Sequence, residues 1–183
     1  RSACVCTKPN ELERSYGNVM SKGKNDKDGI WQRPSATGKV PTKRSGHSFS
    51  IVESSVYLFG GCTADASNGK PGTTNELYSL DISQGNYHWS IPTTAGNMPD
   101  ARWHHTANVF DSTKILYFGG FHDNAKRLND VWVFDTVTLS WSQPVASAML
   151  SKISPDENLK SKLATKPAPR GSHSATLVDS SIV

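Results

Sequence analysis

One cassette recurs along the chain and limits what it can fold into. It opens with Arg-x-x-His, at Arg44–His47, Arg102–His105 and Arg170–His173. An apolar run closed by two glycines follows, Val56–Gly61 and Ile115–Gly120. Next comes Asn, an acid, an apolar residue and an aromatic, within Asn75–Asp81 and Asn129–Asp135. Trp89 and Trp141 close the unit, and Trp31 stands 13 residues before Arg44 just as Trp89 stands 13 before Arg102. The cassette repeats after 58 residues (Arg44 to Arg102) and again after 68 (Arg102 to Arg170). Periods in this range mark repeat architectures, where each unit buries its faces against its neighbours.

The apolar runs are short, alternate in polarity and end in turn residues, which is a strand signal. Strands are expected at about 46–52, 55–60, 76–82 and 87–91 in one unit, and at about 103–110, 114–119, 130–136 and 139–143 in the next. The links are too short for crossover helices, so each set pairs as an antiparallel meander. Pro41, Pro99 and Pro169 precede the three arginines. Proline has no N–H to give a ladder, so these residues belong in the connections. Gly60-Gly61 and Gly119-Gly120 can take positive φ or let another backbone come close. Tyr78, Trp89, Trp132 and Trp141 are flat side chains suited to the gap between packed sheets.

The paired glycines after an apolar strand, the aromatic pair Trp132 and Trp141, and the Arg-x-x-His opening together resemble the kelch repeat. The resemblance runs from about Trp31 to Val183. It implies four-stranded blades of a β-propeller. The expected fold is therefore all-β: a kelch-type β-propeller fragment with two complete four-stranded blades plus partial blades. A polar N-terminal extension, expected to be irregular, covers 1–28 and the partial propeller 29–183. Blade one covers about 45–92, blade two about 103–143, and the start of blade three about 172–183. The strand around Trp31 reads as the outer strand of a further blade. Two features depart from a regular array. Tyr78 to Trp89 is longer than Trp132 to Trp141, and the third unit breaks off. Asp179–Val183 parallels Glu53–Tyr57, so the chain reads as a piece of a longer protein, since a ring takes about four to eight blades. In the long connection 143–169, Ser154 can cap a helix, Pro155 fits its first position, and Asp156 and Glu157 suit its dipole. A short exposed helix is expected at about 155–163, ended by Pro167.

Composition narrows the function classes. The 183 residues carry a net charge of +4, but the lysines are scattered and no aromatic-basic platform accompanies them. Nucleic-acid binding is not expected. Mean hydropathy is −0.50, and no apolar run approaches the ~20 residues that span a membrane. The cysteines are Cys4, Cys6 and Cys62, an odd number with no Cys-x-x-Cys pair, so ordinary thiols are expected. No Asn-x-Ser/Thr sequon occurs. These points favour an intracellular, cytoplasmic protein.

Repetition also sorts candidate site residues. His47, His105 and His173 fall in three different units, so they read as structural hydrogen-bonding residues and not as ligands converging on one metal. Arg44, Arg102 and Arg170 read as donors to carbonyls or carboxylates within or between blades, with Asp81 and Asp135 as further repeat residues. No nucleophile elbow, phosphate loop or His-Glu-x-x-His motif is present, and no catalytic residue, metal or cofactor is expected. Links between the second and third strands and between blades are long and share one face; the others are short. The long-link face carries residues the repeat does not require: Trp103, His104, His122, Asp123, Lys126 and Arg127. Long loops on a repeat scaffold are where contacts are usually made, so a protein or peptide partner is expected there. The resemblance leaves two alternatives: part of a copper radical oxidase resembling galactose oxidase, or an accessory propeller attached to a catalytic domain.

Overall fold

The structure is a computed structural model that describes residues 19–21, 30–32, 34–64, 72–85, 87–123, 126–144, 167–178 and 181–182. In chain order the strands are β1 (Val19–Ser21), β2 (Ile30–Gln32), β3 (Ala36–Gly38), β4 (Arg44–Ser45), β5 (Ser48–Val52) and β6 (Ser55–Phe59). They continue with β7 (Cys62–Thr63), β8 (Gly72–Thr73), β9 (Leu77–Asp81), β10 (Tyr87–Ser90), β11 (Thr106–Phe110) and β12 (Lys114–Phe118). The last are β13 (Phe121–His122), β14 (Lys126–Arg127), β15 (Val131–Asp135), β16 (Ser140–Ser142), β17 (Leu177–Val178) and β18 (Ser181–Ile182). A 3-10 turn at Ser83–Gly85 is the one helical element among the described residues. The expected helix at 155–163 lies outside them.

Blade two is the four-stranded antiparallel meander β11-β12-β15-β16. Blade one repeats it as β5-β6-β9-β10 and adds a fifth strand, β3, parallel to β10 at the outer edge. The expected four-stranded meander is present, and β3 is an addition to it. Gly38 makes it possible. At φ 82° it lies where an added Cβ would meet the Trp89 carbonyl, so only glycine lets the incoming connection run along the outer strand. Gly96 does the same before blade two, against the Trp141 carbonyl, but there only a parallel bridge forms, Ala95 to Ser140. The fully exposed burial pattern of β3 explains why no alternation announced it. A correction falls in the N-terminal extension: β1 lies inside it and pairs antiparallel with β2, Met20 opposite Trp31.

The core lies between the two blades. Val52, Tyr57, Phe59 and Leu77 of blade one meet Ile115, Tyr117, Phe134 and Trp141 of blade two, with Ala107 and Val109 packed against them. Phe59 touches Trp141 and Tyr117 at centroid distances of 5.0 Å each. The glycine pairs lock the blades together through backbone contacts. Gly61 donates its N–H to the Arg102 carbonyl at 2.8 Å, and Gly120 donates to the Arg170 carbonyl at 2.8 Å. In return Arg102 N–H reaches Thr74 O and Arg170 N–H reaches Leu128 O. Because the Arg-x-x-His backbone is engaged this way, the first strand of blade two begins at Thr106 and not at the expected 103.

Cys62 is disulfide-bonded, which corrects the expectation of ordinary thiols. It is buried as the first residue after the glycine pair. Cys4 and Cys6 lie outside the described residues. An odd count with no Cys-x-x-Cys pair does not exclude a disulfide. Disulfides persist in oxidising compartments, so the intracellular expectation loses the support it drew from thiols. No helix among the described residues is long and apolar enough to cross a membrane.

Candidate functional site

The repeat residues form one ladder. Arg102 is buried, and its guanidinium donates to both Asp130 carboxylate oxygens at 2.9 and 2.8 Å and to the Gly119 carbonyl at 3.1 Å. Arg44 is buried likewise, bonded to Glu76 at 2.8 Å and to Gly60 O at 3.1 Å, and its guanidinium sits 5.0 Å from the Tyr78 ring. The carboxylates that receive these forks are Glu76 and Asp130. Asp81 and Asp135 instead accept the N–H groups of their own turns, Ser83 at 2.8 Å, and Val137 and Thr138 at 2.9 and 3.0 Å. Those N–H groups hold both exposed carboxyls below their ordinary value. Burial would push Asp130 up, but the hydrogen bonds and charge of Arg102 outweigh it and hold the carboxyl low.

The histidines bridge blades. His105 Nε2 lies 2.9 Å from Ser48 Oγ of the preceding blade, and His173 Nε2 lies 3.2 Å from Thr106 Oγ1. Each ring also stands edge-on to an aromatic of the preceding blade, Phe59 at 5.6 Å and Phe118 at 5.2 Å. Among the described residues no three His, Cys, Asp or Glu side chains are grouped to share a metal ion.

Burial pulls the His105 pKa down to about 3, with the charges of Arg102, His47, His104 and His173 acting in the same sense. Burial also lowers His47 and His173. An unfolded histidine takes up its proton near pH 6.5. Between that value and about 3 the unfolded chain binds a proton that folded His105 refuses. The contribution is complete above pH 6.5 and is lost as pH falls. At pH 5 this one site should cost about 2 kcal/mol. The melting temperature should therefore drop between pH 7.5 and 5.0, and His105→Gln should show a shallower drop from a lower start. An equal drop in the variant would exclude His105 as the source.

The long-link face is built from short backbone pairings. β4 pairs with β7 and β7 with β8 in blade one; β13 pairs with β14 in blade two, and Trp103 bridges to Phe121 with mutual N–H to O bonds of 3.0 and 2.8 Å. The between-blade link and the second-to-third-strand link of one blade are thus neighbours. In the β13-β14 hairpin Phe121 stands opposite Arg127 and His122 opposite Lys126. Successive strand residues point to opposite sides, so the six candidates divide into two groups. The first is an aromatic-basic cluster. Trp103 contacts His104 at 4.5 Å and Phe121 at 5.6 Å, and the exposed Arg127 guanidinium lies 5.8 Å from the Phe121 ring. The second is His122, Asp123 and Lys126, with His122 Nδ1 2.8 Å from Ala101 O and Nε2 3.1 Å from Asp123.

Phe121, which ties the first cluster together, was missed in the sequence. It occupies the position of Cys62, directly after the glycine pair, so comparing that position between units would have found it. His104 has a hidden repeat role. Gly46, His104 and Ser172 hold φ of 66°, 53° and 55°. His104 N–H donates to Gly46 O and Ser172 N–H to His104 O, so this backbone position repeats from blade to blade while its side chain does not. The exposed His104 ring meets Ser172 Oγ at 2.9 Å through Nδ1.

Comparisons with known proteins give a family, relatives and a likeness of fold. The family model described as the KLHDC2/KLHL20/DRC7 Kelch-repeats domain matches residues 25–159. The chain is 33% identical to human Host cell factor 2 over 163 residues, covering 81% of this chain and 18% of that protein. It is 40% identical over 114 residues to the Dynein alpha chain, flagellar outer arm, of Chlamydomonas reinhardtii, covering 62% of this chain and 2% of that one. The chain thus spans a minor part of the relatives it matches. The solved structure of YjhT superposes with a TM-score of 0.53 at 17% identity, covering 65% of this chain and 41% of that one, a likeness of fold.

Proposed function

The chain belongs to the kelch-repeat family, and on that premise we propose that it is a protein-interaction module whose long-link face docks a protein or peptide. The observation that carries this reading is the Trp103, His104, Phe121 and Arg127 cluster. These side chains are absent from the matching positions of blade one, which holds Ser45, Gly46 and Cys62 at the first three, so the scaffold does not need them. Partly exposed aromatics beside an arginine have the composition of binding anchors. Arg127 is preorganised over Phe121, so it would lose little freedom on docking. His122, Asp123 and Lys126, on the other side of the hairpin, are assigned to the rim.

A displayed random-peptide pool selected on the immobilised chain tests the proposal. Peptides should converge on a shared pattern. Trp103→Ala and Arg127→Ala should each weaken their binding at least tenfold. Thr113→Ala, in a short link on the opposite face, should leave it unchanged. No convergence, or sensitivity to Thr113→Ala alone, would overturn the assignment of the face.

A further inference from the structure

The aromatic-basic cluster is one row across a small sheet. Directly opposite residues of neighbouring strands share a face, and Trp103 stands opposite Phe121, which stands opposite Arg127. Blade one carries the same row as Ser45, Cys62 and Thr73. The scaffold thus repeats the row, and blade two fills it with two aromatics and an arginine.

The phase of the hydrogen bonds leaves the last strand of this sheet open. Phe121 directs both its N–H and its C=O to Trp103, at 2.8 and 3.0 Å. Opposite residues in an antiparallel pair alternate between bonded and non-bonded, so Phe121 and Arg127 form a non-bonded pair. The next pair carries a ladder bond, Leu128 N–H to Gly120 O at 2.8 Å, as that alternation requires. The N–H and C=O of Arg127 therefore point away from Phe121, off the edge of the sheet. Neither has a backbone partner among the described residues, and the sheet ends at β14.

Charge decides what can pair there. Lys126 and Arg127 are both exposed, and neither has a carboxylate partner among the described residues. The neighbouring acids are engaged, Asp123 by His122 and Asp130 by Arg102. Charged side chains on an edge strand oppose pairing with a like edge. A second copy of this chain laid edge to edge would set cation against cation. The same two cations favour a strand that carries an acid.

Resting on the docking face proposed above, we infer that the partner adds to β14 as an extended strand with an Asp or Glu in line with Arg127. Its backbone meets the free N–H and C=O of Arg127. Its carboxylate becomes the fourth member of the row, against the guanidinium held over Phe121. The residues flanking the acid point to the other side of the sheet, the side of Lys126.

Peptides selected on the immobilised chain from a displayed random pool are the probe. Those whose binding depends on Trp103 and Arg127 should share an acid at one position. Arg127→Glu should redirect the selection to Lys or Arg at that position. Thr73→Ala, on the matching edge of blade one, should leave it acidic. Circular dichroism checks that both variants fold. In a synthetic copy of the best peptide, one N-methyl group at or next to the acid should weaken binding on the order of tenfold. The amides on either side of that one should tolerate methylation, because they point away from β14. Peptides that need Trp103 and Arg127 but lack the acid, or that tolerate every N-methyl group, keep the docking face and overturn strand addition. Peptides that need neither residue, or a pool that does not converge, overturn both. If the chain is a dimer that the peptide splits, a second copy holds the edge and the inference fails.

Discussion

Trp141→Ala is expected to destabilise the chain by roughly 3–5 kcal/mol, the range for emptying a large aromatic site in a core. Trp141 is 4% exposed and touches Phe134 at 4.8 Å, Phe59 at 5.0 Å and Tyr117 at 5.3 Å. Phe59 belongs to the other blade, so the cavity would open at the joint between blades. There a collapse must move two sheets, and partial relaxation leaves most of the void. The indole Nε1 has no hydrogen-bond partner among the described residues, so the loss is one of packing. Trp141→Phe should therefore retain most of the stability, losing less than about 1.5 kcal/mol. Val137→Ala, at a site 72% exposed, should stay within about 0.5 kcal/mol. Urea midpoints at one protein concentration measure all three. If Trp141→Ala matches Val137→Ala, the joint between blades is not the core of the chain.

The blades were legible because their strands announce themselves twice, by alternation and by the glycines that end them. Ile115 and Tyr117 are buried at every second position of β12, as period-two reading requires. What stayed hidden depends on partners remote in sequence. β3 is held by a backbone approach of Gly38 to Trp89, and no side-chain pattern records it. Glu76 and Asp130 were visible in the repeated Asn-acid motif. Only the fold shows that they, and not Asp81 or Asp135, face the buried arginines. The six candidate binding residues looked like one set because they are close in sequence. The hairpin register, with Phe121 opposite Arg127, is what puts His122 and Lys126 on the other side. The disulfide of Cys62 escaped because an odd cysteine count without a Cys-x-x-Cys pair carries no sign of it.

Gly60→Ala and Gly85→Ala together separate two roles of glycine, and the first should be far the more damaging. Both residues hold positive φ, 69° and 75°. Each alanine therefore pays the left-handed penalty of roughly 1–2 kcal/mol. The surroundings differ. A Cβ on Gly85 meets nothing within 4 Å. On Gly60 it would stand 2.6 Å from the Arg102 carbonyl and 3.1 Å from the His105 ring. The obstacle is backbone of the next blade, held there by the Gly61 N–H, and it cannot swing aside as a side-chain tip would. Relief requires the blades to part, which strains the Arg102–Thr74 bond and loosens the packing around Phe59. Gly60→Ala should thus cost at least about 2 kcal/mol more than Gly85→Ala, roughly 3–5 kcal/mol in all. Denaturation midpoints of the two variants decide it. Equal losses would mean that the glycine pair is kept for its backbone angles alone, and that the close approach of the blades contributes nothing.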